Sequence, residues 1–408
     1  MTSKYKHMKY LVILADGASD EPLKELGDKT PLMAAKTPYI DQLCAEGVSG
    51  LLDTVPPSLH PGSEVANMMV MGYDAAKYYR GRGVLEAASM GVKTSLDDLV
   101  FRCNLISVED EKVLNHSAGH ISTEEAKEIM EFLQEKLGND KVNFHAGVSY
   151  RHLMVVNGGS DKINCVPPHD VPGTPVKDVL PSAKEEAAQA TIDIVVDLML
   201  KSKELLKDHP VNVKRREAGK PAADMIWPWS AGNTPDMPTM KELYGIESGV
   251  VISAVDLIYG LGAYAGLDGV HVEGSTGLYD TNYEGKAEAA IKALKEKQYV
   301  FLHIEASDEA GHEGDHVLKT KTIEYLDERV VKYVIEEVEK MDEEVTIALL
   351  PDHPTPCALK THTRDAVPFF IKKPGQAPDS VQEYNEFAAK EGAFGTIYGP
   401  EFMQELLK

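Results

Sequence analysis

Cysteine is scarce and scattered: the 408 residues include four, Cys44, Cys103, Cys165 and Cys357, none in a C-x-x-C pair. That argues against a disulfide framework or a zinc–cysteine site and fits a reduced compartment. Long apolar runs are also missing. The stretch Met1 to Tyr10 is polar and basic, and Leu11 to Ala15 is too short for a signal-peptide core or a membrane span, so a cytoplasmic protein with no membrane partner is expected. Basic residues are outnumbered, 42 against 65 acidic, for a formal charge of -23, which disfavours nucleic acid as a partner. An anionic small molecule would then need its own arginine or lysine pocket. There is no internal repeat and no low-complexity segment. What is present, 43% hydrophobic and 26% charged residues, describes a globular chain long enough for two domains.

Short apolar runs ending in turn residues suggest parallel strands: Lys9 to Ala15, Val250 to Ser253, Tyr299 to Ile304, Glu344 to Leu350 and, last, Val367 to Ile371. The segment Gly285 to Lys297 reads as a helix between two of them, and the C-terminal part as βαβ units with parallel strands. Pro31 to Glu46 reads as helix interrupted at Pro38. From about residue 97 to 240 the texture changes. Strand-like Phe101 to Val108, an amphipathic helix Thr123 to Leu137, two strand candidates near 142–144 and 152–157, and a long helix from about Ser182 to Leu206 suggest an inserted module. The expected fold is α/β: a discontinuous domain of residues 1–96 and 241–408 with a mostly parallel sheet flanked by helices, and a smaller α/β insertion of residues 97–240.

The segment His60-Pro61-Gly62-Ser63-Glu64 precedes an apolar helical run and places the Ser63 hydroxyl at a helix N-terminus, where free N–H groups and the helix dipole favour an anion such as phosphate. The bland alternative is that Ser63 is only an N-cap. Asp16 ends the first strand. Asp308 and His312 lie four apart after another strand, Asp352-His353 follows a third between prolines, and His362 comes nine residues later. Loops after parallel strands converge on one sheet edge. Carboxylates plus imidazoles suit Zn²⁺ or Mn²⁺, and these groups suffice for two ions, which could activate the Ser63 hydroxyl. Arg80 and Arg82, in a glycine-containing loop, are a candidate phosphate clamp.

Several segments together resemble the archaeal-type, cofactor-independent (2,3-bisphosphoglycerate-independent) phosphoglycerate mutases of the alkaline phosphatase superfamily. They are Ala15-Asp16-Gly17, Lys29 to Leu32, Thr37 to Asp41, Pro61 to Glu64, Gly72-Tyr73-Asp74, Asp308 to His312, Asp352 to Cys357 and Lys360 to Pro368. The resemblance spans nearly the whole chain. It implies an alkaline-phosphatase-like catalytic domain, Ser63 as phosphorylated nucleophile, one metal held by Asp16, Ser63, Asp352 and His353, and a second by Asp308, His312 and His362. It also implies an insertion that closes over substrate and contributes Arg151 and His120. The implied activity is interconversion of 2- and 3-phosphoglycerate, with two divalent ions and no 2,3-bisphosphoglycerate.

The chain departs from that pattern in places. Where such mutases carry Lys after Leu-Ile, it has Tyr259, and where they carry Arg before Gly-Ala-Gly, it has Trp227-Pro228-Trp229-Ser230-Ala231-Gly232. An expected C-terminal Arg is Tyr398, and the serine motif has Glu64 in place of Asp. Phosphoglycerate carries about three negative charges and needs cations to offset its desolvation. The Trp-Pro-Trp-Ser segment resembles a branch proposed to be homoserine kinases. The alternative is thus ATP-dependent phosphorylation of L-homoserine, an amino-acid alcohol of threonine biosynthesis, at the same two-metal centre, with Tyr259 and Trp229 facing the acceptor.

Overall fold

The computed structural model describes residues 8–408; most of the polar, basic start noted above lies outside the described residues. The chain divides into two compact units, one of residues 8–79 with Met237–Lys408, the other Arg80–Asp236. The second therefore takes in the helix Arg82–Ser89, which packs on its strands.

The first unit is built on an eight-stranded sheet. Its order is Asp268–Val270, Gly249–Ile252, Tyr299–Ile304, Lys9–Ala15, Val345–Leu350, Val367–Lys372, Val48–Asp53 and Gly395–Tyr398. The strand Lys9–Ala15 is central, parallel to both neighbours, with Val12 opposite Phe301 on one side and Ala348 on the other. Residues Leu11 to Leu14 are wholly buried, as expected of a strand covered on both faces by helices. Val367–Lys372 corrects the sequence expectation: it is antiparallel to both its neighbours. The reason lies in its connection. Residues 351–366 contain no helix to carry the chain back to the other end of the sheet, so the chain returns from the edge it has just reached. The other seven strands run one way, so their C-terminal ends share an edge.

The second unit carries a twelve-residue strand, Asp98–Glu109, paired antiparallel with Arg151–Asn157 on one side and with Met225–Asn233 and Lys112–Asn115 on the other. The helices Thr123–Leu137 and Gln189–Leu206 bury their apolar stripes against this sheet. The latter starts later than the sequence suggests, because Ser182–Ala183 pairs as a short strand with Ile163–Asn164. Gly232 is required here, since a Cβ at that position would lie 1.4 Å from the Arg80 carbonyl oxygen.

Arg215, one of the basic run Lys214-Arg215-Arg216, is structural. Its side chain is 3% exposed and spans Glu125 Oε2 at 2.6 Å and the carbonyls of Ala118 and Pro221 at 2.7 and 2.8 Å. Arg215→Ala leaves those acceptors unpaired and is expected to cost about 3 kcal/mol. Both tryptophans, Trp227 and Trp229, lie in this unit, so urea unfolding followed by tryptophan fluorescence should show the lowered midpoint; an unmoved midpoint would deny Arg215 this role.

Candidate active site

Four loops bring chemistry to the C-terminal edge of the first unit's sheet. Asp16 follows Lys9–Ala15, Ser63 opens a helix beyond Val48–Asp53, Asp308 lies in the helix after Tyr299–Ile304, and Asp352-His353 follows Val345–Leu350.

Ser63 is not an N-cap. The cap is Gly62, whose carbonyl takes the first helical bonds, and Ser63 is the first residue of Ser63–Val70. Its hydroxyl is therefore free of capping duty and lies 3.1 Å from His353 Nε2.

The carboxylates are fixed by named donors, and one Asp16 oxygen is left over. Asp352 Oδ1 accepts the backbone N–H of Gly17 at 3.1 Å and of His353 at 2.9 Å, while Oδ2 lies 2.8 Å from Asn67 Nδ2 and 3.4 Å from His353 Nε2. Asp16 Oδ2 is 2.8 Å from His303 Nε2, and Oδ1, 3.6 Å from His353 Nε2, is buried with no hydrogen-bond partner among the described residues. Thr355 Oγ1 donates to Asp308 Oδ1 and lies 3.3 Å from His353 Nδ1. Since that hydroxyl's proton goes to the carboxylate, His353 must donate from Nδ1, which leaves the Nε2 lone pair facing Ser63, Asp16 and Asp352. Gly17 makes the convergence possible: its φ is 61°, and a Cβ there would meet Asp308 Oδ1 at 2.5 Å.

The other group centres on Asp308. His312 Nε2 is 3.2 Å from Asp308 Oδ2, His362 Nε2 is 3.5 Å from Oδ1, and the two imidazole nitrogens face each other at 3.0 Å. Burial alone would raise Asp308, but hydrogen bonds from both imidazoles outweigh it and hold the carboxyl well below its usual range. The bond to Asp308 lifts His312 to about 9. Asp16 is driven the other way, upward, by burial and by Asp352, Asp308 and Glu305. Glu305 itself is pushed up to about 8 by burial and by Asp308.

An orphaned buried carboxylate oxygen and an inward-facing imidazole lone pair are what a divalent cation relieves. Asp16, Asp352 and His353 form one donor set, and Asp308, His353 and His362 another, each with ligand atoms mutually within 4.8 Å. Mixed carboxylate and imidazole donors fit a transition-metal or zinc ion better than a calcium cage.

Of the residues the sequence singles out, Asp16, Ser63, Asp308, His312, Asp352, His353 and His362 are brought together. Tyr259, in the same unit, turns away into the fold: its hydroxyl lies 2.7 Å from the Ser253 carbonyl and 3.0 Å from that of Val270, and accepts the Ser253 N–H. The remaining five belong to the second unit. There Arg151, exposed, lies over the Tyr150 ring, and Tyr150 also adjoins His116 and His120. The band continues through His169 to Trp229, whose indole N–H donates to Asn104. Arg102, missed in the sequence, stacks on Trp229 at 4.4 Å across the strand pair and is pinned by Glu86 at 3.0 Å. Arg82 opens the helix Arg82–Ser89 and sits close enough to Arg102, as does Arg151, to lower its pKa along with burial. Arg80 precedes that helix. Asn67, His303 and Glu305 were also missed. A polar His303 inside the otherwise apolar strand YVFLHI, and Glu305 at that strand's end, were the available signals.

The fold is shared with a structure described as a cofactor-independent phosphoglycerate mutase from Thermoplasma acidophilum. That structure matches with TM-score 0.74 and 24% identity over 98% of each chain. A protein from Pyrococcus horikoshii matches with TM-score 0.81 and 31% identity, covering 98% of this chain and 97% of its own. A family model described as 2,3-bisphosphoglycerate-independent phosphoglycerate mutase matches residues 44–212. A Methanosarcina acetivorans protein of that name is 48% identical over 98% of this chain and all of its own, and a Methanothermobacter thermautotrophicus relative named 2,3-bisphosphoglycerate-independent phosphoglycerate mutase 2 is 45% identical over 98% and 97%. The chain belongs to the 2,3-bisphosphoglycerate-independent phosphoglycerate mutase family. No helix among the described residues is long and apolar enough to cross a membrane.

The raised His312 pKa yields a prediction. In the metal-free protein His312 holds its proton up to about pH 9, so near neutrality an incoming ion must displace it, where an ordinary histidine would already be mostly neutral. Divalent-ion affinity should therefore fall as pH drops below that value, by about tenfold per unit for one displaced proton. The His362 pKa is raised too, so calorimetry in buffers of differing ionisation enthalpy should count at least one proton released per ion bound at this group; zero release would contradict the assignment.

Proposed function

We propose that this chain interconverts 3-phosphoglycerate and 2-phosphoglycerate without 2,3-bisphosphoglycerate, using Ser63 as the phosphoryl carrier. The supporting observation is the Ser63 hydroxyl itself, uncapped at a helix N-terminus and 3.1 Å from an imidazole lone pair amid converging carboxylates.

In this reading two divalent ions, Mn²⁺ or Zn²⁺, are held by Asp16, Ser63, Asp352 and His353 and by Asp308, His312 and His362. Bound there, they supply positive charge that lowers the hydroxyl's pKa and offsets charge on the transferring phosphoryl group. The protein's own part is positioning. As the Ser63 Oγ–P bond forms, the bond from phosphorus to the C3 oxygen breaks; the proton Oγ gives up is matched by one taken up by the leaving oxygen. The reverse step onto the C2 oxygen restores Ser63, so no water or nucleotide is consumed. Free N–H groups at the start of Ser63–Val70 face the phosphate oxygens. Arg151, Arg80 and Arg82 offer the cations that a substrate of about three negative charges requires, and His120 offers a ring nitrogen to hydrogen-bond it.

The kinase alternative pictured an acceptor pocket rebuilt around Tyr259, Trp229 and Tyr398. Tyr259 spends its hydroxyl on Ser253 and Val270, and Trp229 its N–H on Asn104, so neither polar group is available to an amino-acid alcohol.

Mn²⁺-loaded protein is expected to convert 3-phosphoglycerate to 2-phosphoglycerate with no bisphosphoglycerate present, and to leave L-homoserine untouched with ATP; turnover of homoserine alone would reverse the conclusion. Ser63→Ala should abolish turnover while metal content stays nearly unchanged, and survival of activity would end the phosphoserine reading. Arg151→Ala should raise KM by roughly tenfold or more, the scale of one charge-assisted contact; an unaltered KM would remove it from the substrate's surroundings.

A further inference from the structure

His303 is wholly buried, yet it sits inside a strand that is otherwise apolar, and its two ring nitrogens have separate partners. Nε2 lies 2.8 Å from Asp16 Oδ2, and Nδ1 lies 3.0 Å from Ser253 Oγ. Ser253 Oγ also accepts the Val255 N–H at 3.0 Å, so its own proton is available for Nδ1. With Nδ1 accepting, the ring donates from Nε2 to the carboxylate. Ser253 is in turn held on its main chain by Tyr259, which accepts its N–H at 3.3 Å and lies 2.7 Å from its carbonyl, and by Ser275 Oγ at 3.3 Å from the same carbonyl.

The chain Tyr259, Ser253, His303, Asp16 runs from the body of the first unit to the mouth of the site and stops at one carboxylate oxygen. The other oxygen, Oδ1, is buried with no hydrogen-bond partner among the described residues. A carboxylate with both oxygens free would rotate about its terminal bond or turn Oδ2 toward Asp352. With Oδ2 pinned by a donor, only Oδ1 is presented. Asp352 differs: its Oδ1 is held by two backbone N–H groups and its Oδ2 also accepts the Asn67 side-chain amide.

We propose that His303 is a positioning residue for divalent-ion binding: as the Nε2–H tautomer, held in that form by Ser253, it fixes Asp16 so that Oδ1 faces the ion. The inference rests on the metal-ligand reading of Asp16 given above. Polar groups that orient a metal ligand in this way typically contribute 10–100-fold to metal affinity. Tyr259 acquires a role as well, as the clamp on Ser253.

The test uses Mn²⁺ alone, titrated into the full metal-free chain with free Mn²⁺ followed by electron paramagnetic resonance, so that affinity and stoichiometry are read without turnover. Gln at position 303 can place an amide N–H near the Nε2 position, whereas Asn reaches only the Nδ1 position. His303→Gln should keep Mn²⁺ affinity within about threefold, while His303→Asn and His303→Ala should weaken one site by roughly 10–100-fold and spare the other. Asp16→Asn provides the reference. If Asp16→Asn weakens that site but His303→Asn does not, the positioning role is wrong and the metal reading survives. If Asp16→Asn leaves both sites intact, or the native chain binds no Mn²⁺, both fall. Because variants at a buried position can unfold, the native protein offers a second measurement. Imidazole ¹⁵N spectra of the metal-free chain, with the His303 signal identified by its loss in His303→Gln, should show Nε2 protonated and Nδ1 not, and Ser253→Ala should disturb that pattern. An Nδ1-protonated ring would overturn the proposal.

Discussion

Four carboxylates, Asp16, Asp308, Asp352 and Glu305, are crowded at the end of a parallel sheet, and their mutual repulsion is the constraint that the surrounding structure answers. Asp16 and Asp352 are wholly buried, so water cannot screen them. Part of the answer is built in: His312 and His362 donate toward Asp308, Gly17 and His353 give backbone N–H groups to Asp352, and His303 faces Asp16. Lys286, also wholly buried, puts its ammonium 3.3 Å from the His303 carbonyl, near enough to Glu305 to offset some of that carboxyl's upward shift. What these groups leave over, an orphaned Asp16 oxygen and the inward His353 Nε2 lone pair, is the part a divalent cation completes. The same low-dielectric setting that makes the empty centre costly makes bound charge effective in phosphoryl transfer.

Holding those groups in register requires the loops themselves to be rigid. Lys319, with no exposed surface, joins them: Nζ lies 2.8 Å from Asp20 Oδ2, 3.0 Å from the Ser19 carbonyl and 2.9 Å from that of Thr355. Asp20 Oδ2 accepts the Cys357 N–H as well, and Glu386 binds Ser19, Asp20 and Thr30 from the other side. The loop bearing Asp16 and the loop bearing His353 are thus tied through one ammonium. With each of its protons matched to an oxygen, the buried charge is compensated and acts as a fastener.

Much of this was legible in the primary structure because strand ends are. An apolar run that stops at Asp16-Gly17 or Pro351-Asp352-His353 marks both the strand and the edge where ligands gather, so Asp16, Ser63, Asp308, His312, Asp352, His353 and His362 could be named from position and residue type. The misreadings have a common origin. Tyr259 looked like an acceptor contact because only its neighbours in sequence were visible, whereas its partners, Ser253 and Val270, are brought to it by the turn between helix and sheet. Val367–Lys372 looked parallel because composition does not record strand direction.

The sequence by itself determined the α/β class, the inserted module, the serine at a helix start and the residue types of the centre, since these follow from periodicity, punctuation and local spacing. Only the tertiary structure decided which oxygen of Asp16 is held and which is left over, that Ser63 is spared from capping, that Arg102 lies across from Trp229, and that His303 stands behind Asp16. Apart from the capping of the Ser63 helix by Gly62, those features depend on contacts between residues more than a hundred positions apart, such as the 287 separating His303 from Asp16. Hydrogen-bond direction and orientation at such distances are set by strand register and packing, which local sequence does not encode.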